Sequence, residues 1–368
     1  MLAEFRVRNY KNFRDELCFS LESGKNYEFN QNAVYSGIIK DAVVVGYNAS
    51  GKTNLGRAVM DLLTHLTDKG GRKEAALFYS NLYNSNHMIW FAYKFKFDSS
   101  VLEYEYEKEE EDRVVRECVR IDGKKMIVND INQCYTKLSG SESLNLENWD
   151  RSISLVKYVY ANTMLDKNDK YCQIFLKFIK FVNQMLWVSS TEGLRAVGIA
   201  SDGGNMLDEI CNLENGVEQL EIFLRELGLP FHLTAKDTGE GKNIYCRMGD
   251  KEVAFAPLMS SGTRSLVFLF LWYIQRKNFS FIFIDEFDAF YHTDLSIAVI
   301  RKLMQEKDIQ IIFTTHNTDV ITNELLRPDC YFLLNDNRIR PFSGLTDKAL
   351  REAHNLQKMY RAGAFYGR

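Results

Sequence analysis

An α/β fold is predicted, with a mostly parallel core sheet, a set of antiparallel strands and an inserted, mainly helical lobe. Three observations predict it. Short continuous apolar runs at Asp41–Gly46, Phe279–Ile284 and Ile309–Thr314 suit strands covered on both faces. The first two are followed by helical spacing, at Thr53–Leu66 and Thr293–Gln305. Between residues 89 and 128 apolar and polar residues alternate instead, as in antiparallel strands with one wet face.

The elements follow in order. Leu2–Val7 reads as a first strand and Asn9–Phe13 as a turn. In Thr53–Leu66 the residues Leu55, Val59, Leu62, Leu63 and Leu66 share a helical face. Ile89–Phe97 and Val101–Glu107 alternate, and the charge run Glu107–Arg113 reads as a solvated strand end or loop. Asp122-Gly123 is a hairpin signal between Val114–Ile121 and Lys125–Val128. Leu155–Ala161 is expected to be another strand. From Asp166 to Leu227 the pattern turns helical, with Ile174, Phe175, Phe178, Ile179 and Val182 on one face and Leu207 through Leu224 repeating similarly. Phe231–Ala256 returns to strands, with turns at 239–241 and Gly249-Asp250, and Ser265–Gln275 is helix.

Composition excludes several classes. The chain has 368 residues, 46% of them hydrophobic, enough for one large domain or two lobes. Net charge is −3, so there is no broad basic footprint of a dedicated nucleic-acid binder. The seven cysteines are scattered without a Cys-x-x-Cys, as expected of reduced thiols in the cytoplasm. Residues 1–15 mix charged and apolar residues, so no signal peptide is expected. The apolar run near Ser265–Ile274 falls short of the roughly 18–20 residues that span a bilayer, and no membrane association is expected.

Gly46-Tyr47-Asn48-Ala49-Ser50-Gly51-Lys52-Thr53 matches G-x-x-x-x-G-K-[ST] in full, and Asn54 follows it into the helix. Glycines allow a tight turn whose backbone N–H groups point inward at phosphate oxygens. The following helix adds its positive N-terminal end. Lys52 would neutralise the terminal phosphates of ATP, and the Thr53 hydroxyl would ligate Mg²⁺. Phe281-Ile282-Phe283-Ile284 runs into Asp285-Glu286, which delivers two carboxylates to the edge of the sheet where ligands bind. Asp285 suits the metal and Glu286 the attacking water. His316, after Phe313-Thr314-Thr315, could contact the γ-phosphate and sense its hydrolysis. Tyr10, Phe13 and Tyr47 could each stack on a base or serve as packing.

Taken in order, phosphate loop, Ser-Ser-Gly-Thr, carboxylate pair and histidine, the sequence resembles the ABC-class ATPases of the SMC, RecF and OLD-nuclease type. That family carries a short signature before a helix, about 25 residues ahead of the carboxylates. Leu258-Met259-Ser260-Ser261-Gly262-Thr263-Arg264 occupies this place and is similar to the Ser-x-Gly-Thr form of standalone, defence-associated prokaryotic ATPases. Phe5–Phe13, Asp285–His292 and Tyr360–Gly367 resemble further family segments, the last of them a Tyr-x-x-Gly-x-x-Gly tail from which it differs by one added residue before the second glycine. The glutamine that usually follows a strand between phosphate loop and signature has no clear match, and Asn162 is the candidate. No long coiled coil and no nuclease domain are visible.

The resemblance implies an ABC-type ATPase head. Residues 1–165 and 256–368 would form the P-loop core with its antiparallel β subdomain, and 166–255 the inserted lobe. It also implies a head-to-tail homodimer, with or without higher assembly, in which Ser260, Ser261, Gly262 and Thr263 of one chain close over ATP held by the other. A switch of this kind needs something to control. The expectation is a regulatory ATPase of an antiviral, abortive-infection or toxin–antitoxin type, with a separate effector such as a nuclease or toxin and a phage protein as trigger. Two alternatives stay open: a RecF-like clamp that grips DNA, to which Arg6, Arg8, Lys11 and Arg14 could contribute, and a low-turnover ATP-binding scaffold.

Overall fold

Strands rich in Val, Ile and Phe, buried along their whole length, build the centre of the molecule. The computed structural model describes residues 1–368 apart from 68, 70–78, 111–112, 148, 150–152, 192–193, 199–205, 240 and 367–368. Asp41–Val45, Phe281–Asp285 and Gln310–Thr315 are buried at every position. They lie side by side in a seven-stranded sheet of order Arg195–Val197, Met185–Ser189, Phe281–Asp285, Gln310–Thr315, Asp41–Val45, Tyr331–Asn335, Arg338–Pro341. The five inner strands are parallel and each outer strand is antiparallel to its neighbour. The phosphate-loop, carboxylate and histidine segments therefore leave the same edge of the sheet from nearby strands.

The alternating segments form a second seven-stranded sheet, antiparallel throughout. Its order is Cys134–Thr136, Lys124–Asn129, Arg113–Ile121, Ser100–Glu110, Ile89–Phe97, Leu2–Arg8, Leu17–Ser20. The helix Lys52–Leu66 lies between the two sheets. Toward the core sheet, a Cβ on Gly56 would come within 2.6 Å of the Phe283 ring, so glycine there permits close helix–sheet packing. Toward the antiparallel sheet, the Tyr93 hydroxyl donates to the Ala58 carbonyl at 3.0 Å. Asp61 on the same helix accepts from Lys108 Nζ and from the Tyr106 hydroxyl, both at 2.7 Å and all buried. Phe19 meets Phe332 edge to face at 5.0 Å and joins the sheets at their other side.

A three-stranded sheet, Leu233–Asp237, Lys242–Met248 and Lys251–Ala254, is flanked by the helices Met206–Asn212 and Gly216–Glu226. It leads through Phe255–Leu258 into the helix Ser261–Tyr273. Among the described residues, no helix is long and apolar enough to cross a membrane.

Two sequence expectations are corrected. Leu155–Ala161 is not a strand but most of the helix Leu155–Asn162. Ser154 caps it by accepting from Lys157 N at 3.3 Å, and the buried Glu117 carboxylate accepts from Leu155 N. The stretch 166–227 is not helical throughout: after the helix Lys170–Asn183 the chain enters the strand Met185–Ser189, the parallel neighbour of the carboxylate strand. The segment 166–255 therefore contributes a strand to the core sheet. Of the two turns expected near 240 and 250, residue 240 lies outside the described residues, as does part of the charge run at 111–112.

Candidate active site

The phosphate loop leaves Val45 and turns back into its helix through two left-handed residues, Ala49 at φ 61° and Gly51 at φ 100°. A Cβ on Gly51 would lie 2.4 Å from the Asn12 amide, and one on Gly46 would lie 2.5 Å from the Leu334 carbonyl. Both glycines are needed for space, and Gly51 also for its backbone angle. Asn12 comes from the turn after the first strand. Its side chain accepts from Asn54 Nδ2 at 2.6 Å and donates to Asn337 Oδ1 at 2.9 Å, which ties the loop to two other segments.

Lys52 is buried at 4% exposure. Its ammonium donates to the Gly46 carbonyl at 3.0 Å and the Tyr47 carbonyl at 3.3 Å. It also approaches the His316 ring, at 3.1 Å from Nδ1 and 3.0 Å from Nε2. Nε2 in turn lies 3.0 Å from Glu286 Oε1. The neutral tautomer that serves both partners carries its proton on Nε2 and donates to Glu286, leaving Nδ1 to accept from Lys52, an assignment made from the bonding pattern. Burial pushes the Lys52 ammonium down to about 8, while Glu286, Asp285 and Asp288 pull it up.

Asp285 is fully buried at the end of its strand, and its Oδ1 accepts from the Thr314 hydroxyl at 2.7 Å. The same hydroxyl oxygen accepts from Glu286 N at 2.8 Å. Glu286 sits in the left-handed region at φ 46°, an unusual angle for a residue with a side chain. Its geometry turns the second carboxylate away from the first and toward His316. One residue further, Thr315 donates to the Asp288 carboxylate at 2.7 Å, and burial raises the Asp288 acid above its ordinary range.

Lys52, Glu286 and His316 are thus brought into one bonded chain, with Asp285 beside it, from three parallel strands. Thr314, Asp288 and Asn12 were missed at the sequence level. Thr314 and Asp288 lie within the segments already singled out, but nothing in their spacing marks them as supports. Asn162 is corrected as the glutamine-loop candidate: it is exposed at the end of a helix and donates to its own Tyr158 carbonyl at 2.9 Å. The strand in the required place is Met185–Ser189. Ser190 follows it, donates its N–H to the Asp285 carbonyl at 3.3 Å and directs its hydroxyl toward the Phe287 carbonyl.

Ser260 caps the helix Ser261–Tyr273, accepting from Thr263 N at 3.1 Å and meeting the Thr263 hydroxyl at 2.9 Å. A Cβ on Gly262 would lie 2.8 Å from the Phe290 carbonyl, and Ser265 meets the Tyr291 hydroxyl at 2.9 Å. The signature segment therefore rests on the loop after the carboxylates, with Ser260 and Ser261 exposed. Its bonds run to that loop and within itself, not to the phosphate loop of its own chain. Of the three aromatic candidates for base stacking, Tyr10 and Phe13 are buried as packing. Tyr47 is 63% exposed.

The residues present fit a magnesium nucleotide. Ser50 Oγ is buried in the loop without a protein partner, the loop's backbone is held open by glycines, and a hydroxyl (Thr53) and a buried carboxylate (Asp285) supply hard oxygen donors. No curated protein matches the chain. A family model described as "AAA domain, putative AbiEii toxin, Type IV TA system" matches residues 192–322, less than half of the chain. Among solved structures, an SMC head bound to the C-terminal winged-helix domain of ScpA aligns at 13% identity over 92% of this chain and 96% of that one, with a TM-score of 0.49. The SMC head domain from Thermotoga maritima aligns at 16% identity over 92% and 98%, with a TM-score of 0.45. The Pyrococcus furiosus Smc head bound to the C-terminal domain of ScpA aligns at 12% over 92% and 95%, with a TM-score of 0.43. With phosphate loop, carboxylate strand and histidine strand in one parallel sheet beside an antiparallel one, the chain has the fold of an ABC-type P-loop ATPase head.

Proposed function

We propose that this chain binds and hydrolyses ATP with Mg²⁺ and acts as a nucleotide-dependent dimeric switch. The observation that carries the reading is the chain Lys52–His316–Glu286, in which His316 lies within 3.1 Å of both the Lys52 ammonium and the Glu286 carboxylate. The loop N–H groups and Lys52 would hold the phosphates, and Lys52 would offset charge developing on the transferred phosphoryl group. Glu286 would orient and polarise the attacking water. His316, bonded to both, would register the γ-phosphate and pass its presence to Glu286. Thr53 and Asp285 would hold the magnesium ion, which supplies charge neutralisation at the phosphates.

The finer reading is a regulatory ATPase of a prokaryotic defence system that controls a separate effector. It is supported by the Ser-Ser-Gly-Thr form of the signature and by a family match whose description names a toxin of a toxin–antitoxin system. The DNA-clamp alternative draws less support. Arg6 is engaged by Glu4 and Glu16, and Arg8 lies over the Trp90 ring.

The test is ATP turnover by purified protein, wild type beside Glu286→Gln, with light scattering in the presence and absence of ATP. Turnover is expected to fall at least ~100-fold in the variant, with an ATP-dependent rise in mass. Equal turnover in the two proteins would remove Glu286 from the mechanism.

A further inference from the structure

The segment Leu356–Tyr366 touches both the phosphate loop and the loop after His316, and no role in the chemistry has been given to it. Its ring contacts are lodged in the fold: Phe342, fully buried, stacks on Phe365 at 4.3 Å and on Tyr360 at 5.8 Å. From this anchor two contacts reach outward. Tyr366 stacks on Tyr47 of the phosphate loop, with ring centroids 5.4 Å apart and planes inclined by 27°, and its hydroxyl bonds to that of Tyr360. On the other side, Arg361 donates to Asp319 Oδ1 at 2.6 Å and to Thr318 Oγ1 at 3.2 Å, and Gln357 also donates to Asp319. Thr318–Val320 is a single 3₁₀ turn, capped by Asn317, the residue after His316.

We propose that Leu356–Tyr366 is a positioning strap, which ties the phosphate loop at Tyr47 to the histidine loop at Asp319 and so presets the two for nucleotide. This rests on the ATP reading above. The physical argument is one of freedom lost in advance. Tyr47 is mostly exposed and would otherwise leave its loop edge mobile. The Arg361–Asp319 pair is also exposed, so it contributes little to global stability and acts mainly by fixing a place. Ordering two loops before ligand arrives lowers the ordering cost of binding. Tyr366 and Arg361 are positioning residues, since they act through Tyr47 and the His316 loop.

Equilibrium titration with a mant-labelled ATP and Mg²⁺, in the Glu286→Gln background, tests the strap without interference from turnover. Tyr366→Ala is expected to raise Kd by about 3- to 10-fold, the range of one aromatic pair, while the melting temperature falls by no more than about 3 °C. Tyr366→Phe keeps the ring and should bind as the parent does. Combining Tyr47→Ala with Tyr366→Ala should weaken binding no further than either alone, because the pair acts as one unit. Arg361→Ala, a surface change, should raise Kd in the same direction. Parent protein that fails to bind the probe would overturn the ATP reading and the strap with it. Parent protein that binds, beside Tyr366→Ala and Arg361→Ala variants of equal affinity, would overturn the strap alone.

Discussion

Lys52 carries its charge in a place that disfavours it, with burial holding its ammonium down to about 8 against the pull of three carboxylates. The sign of the consequence follows. Below pH 8 the folded protein keeps a buried cation and is destabilised by it. Between pH 8 and the ordinary lysine value the unfolded chain binds more protons than the folded one, so this penalty fades as pH rises. In nucleotide-free protein, Lys52→Met should therefore melt above wild type at pH 7, and the gap should close toward pH 10. A melting series against pH checks this, and a gap that widens with pH contradicts it. Glu286 stores a different kind of strain, a left-handed backbone under a side chain. Glu286→Gly should lose turnover yet gain about 1 kcal/mol of stability in a denaturant titration. These two residues could be singled out from sequence because a motif marks each of them. Asn12, Thr314 and Asp288 could not, because their roles depend on which segments the fold brings beside them.

The phosphate-loop helix acts as an element through the residues that bolt it to the antiparallel sheet. Asp61 satisfies Lys108, Tyr79 and Tyr106 together in a buried setting. Removing one partner leaves the other charge buried without an answer. Asp61→Ala should cost about 3–5 kcal/mol in chemical denaturation, while Asp61→Leu combined with Lys108→Met should cost clearly less. An equal cost for both would mean that the ion pair itself, rather than the orphaned charge, is what matters. Element boundaries were legible where one period dominates, as in Lys52–Leu66 or Ile89–Phe97. They failed in two places with identifiable causes. Met185–Ser189 follows an amphipathic helix with Gln184 alone between them, so its apolar run continues the preceding pattern. Leu155–Asn162 has the Val and Tyr content of a strand, but Ser154 and the distant Glu117 bind its first N–H groups and stabilise a helix.

At the scale of the whole molecule, each half of the proposed site is complete in one chain, but the two halves do not meet within it. Lys52, Glu286 and His316 are bonded together, while Ser260 stands exposed as the cap of the helix Ser261–Tyr273 and Thr263 lies in its first turn, bonded to Ser260. A head-to-tail pair would bring the signature of each chain over the phosphate loop of the other, and this arrangement makes a prediction that no single-chain site shares. Lys52→Ala should abolish turnover by removing the phosphate charge, and Ser260→Arg should abolish it by blocking the capped helix start from approaching nucleotide. Mixed in equal amounts, the two inactive proteins form heterodimers in which one site combines an intact phosphate loop with an intact signature. Random pairing makes half of the dimers mixed, each with one of two sites restored, so turnover should return to about a quarter of wild type. A chain carrying both substitutions, mixed with wild type, supplies the comparison: every mixed dimer then has both lesions in one subunit and both sites damaged, so turnover should fall to about a quarter, all of it from wild-type homodimers, where a site held within one chain would leave about half. Mixing that restores nothing, from two variants that each still fold and assemble with ATP, would place the signature outside the hydrolytic site.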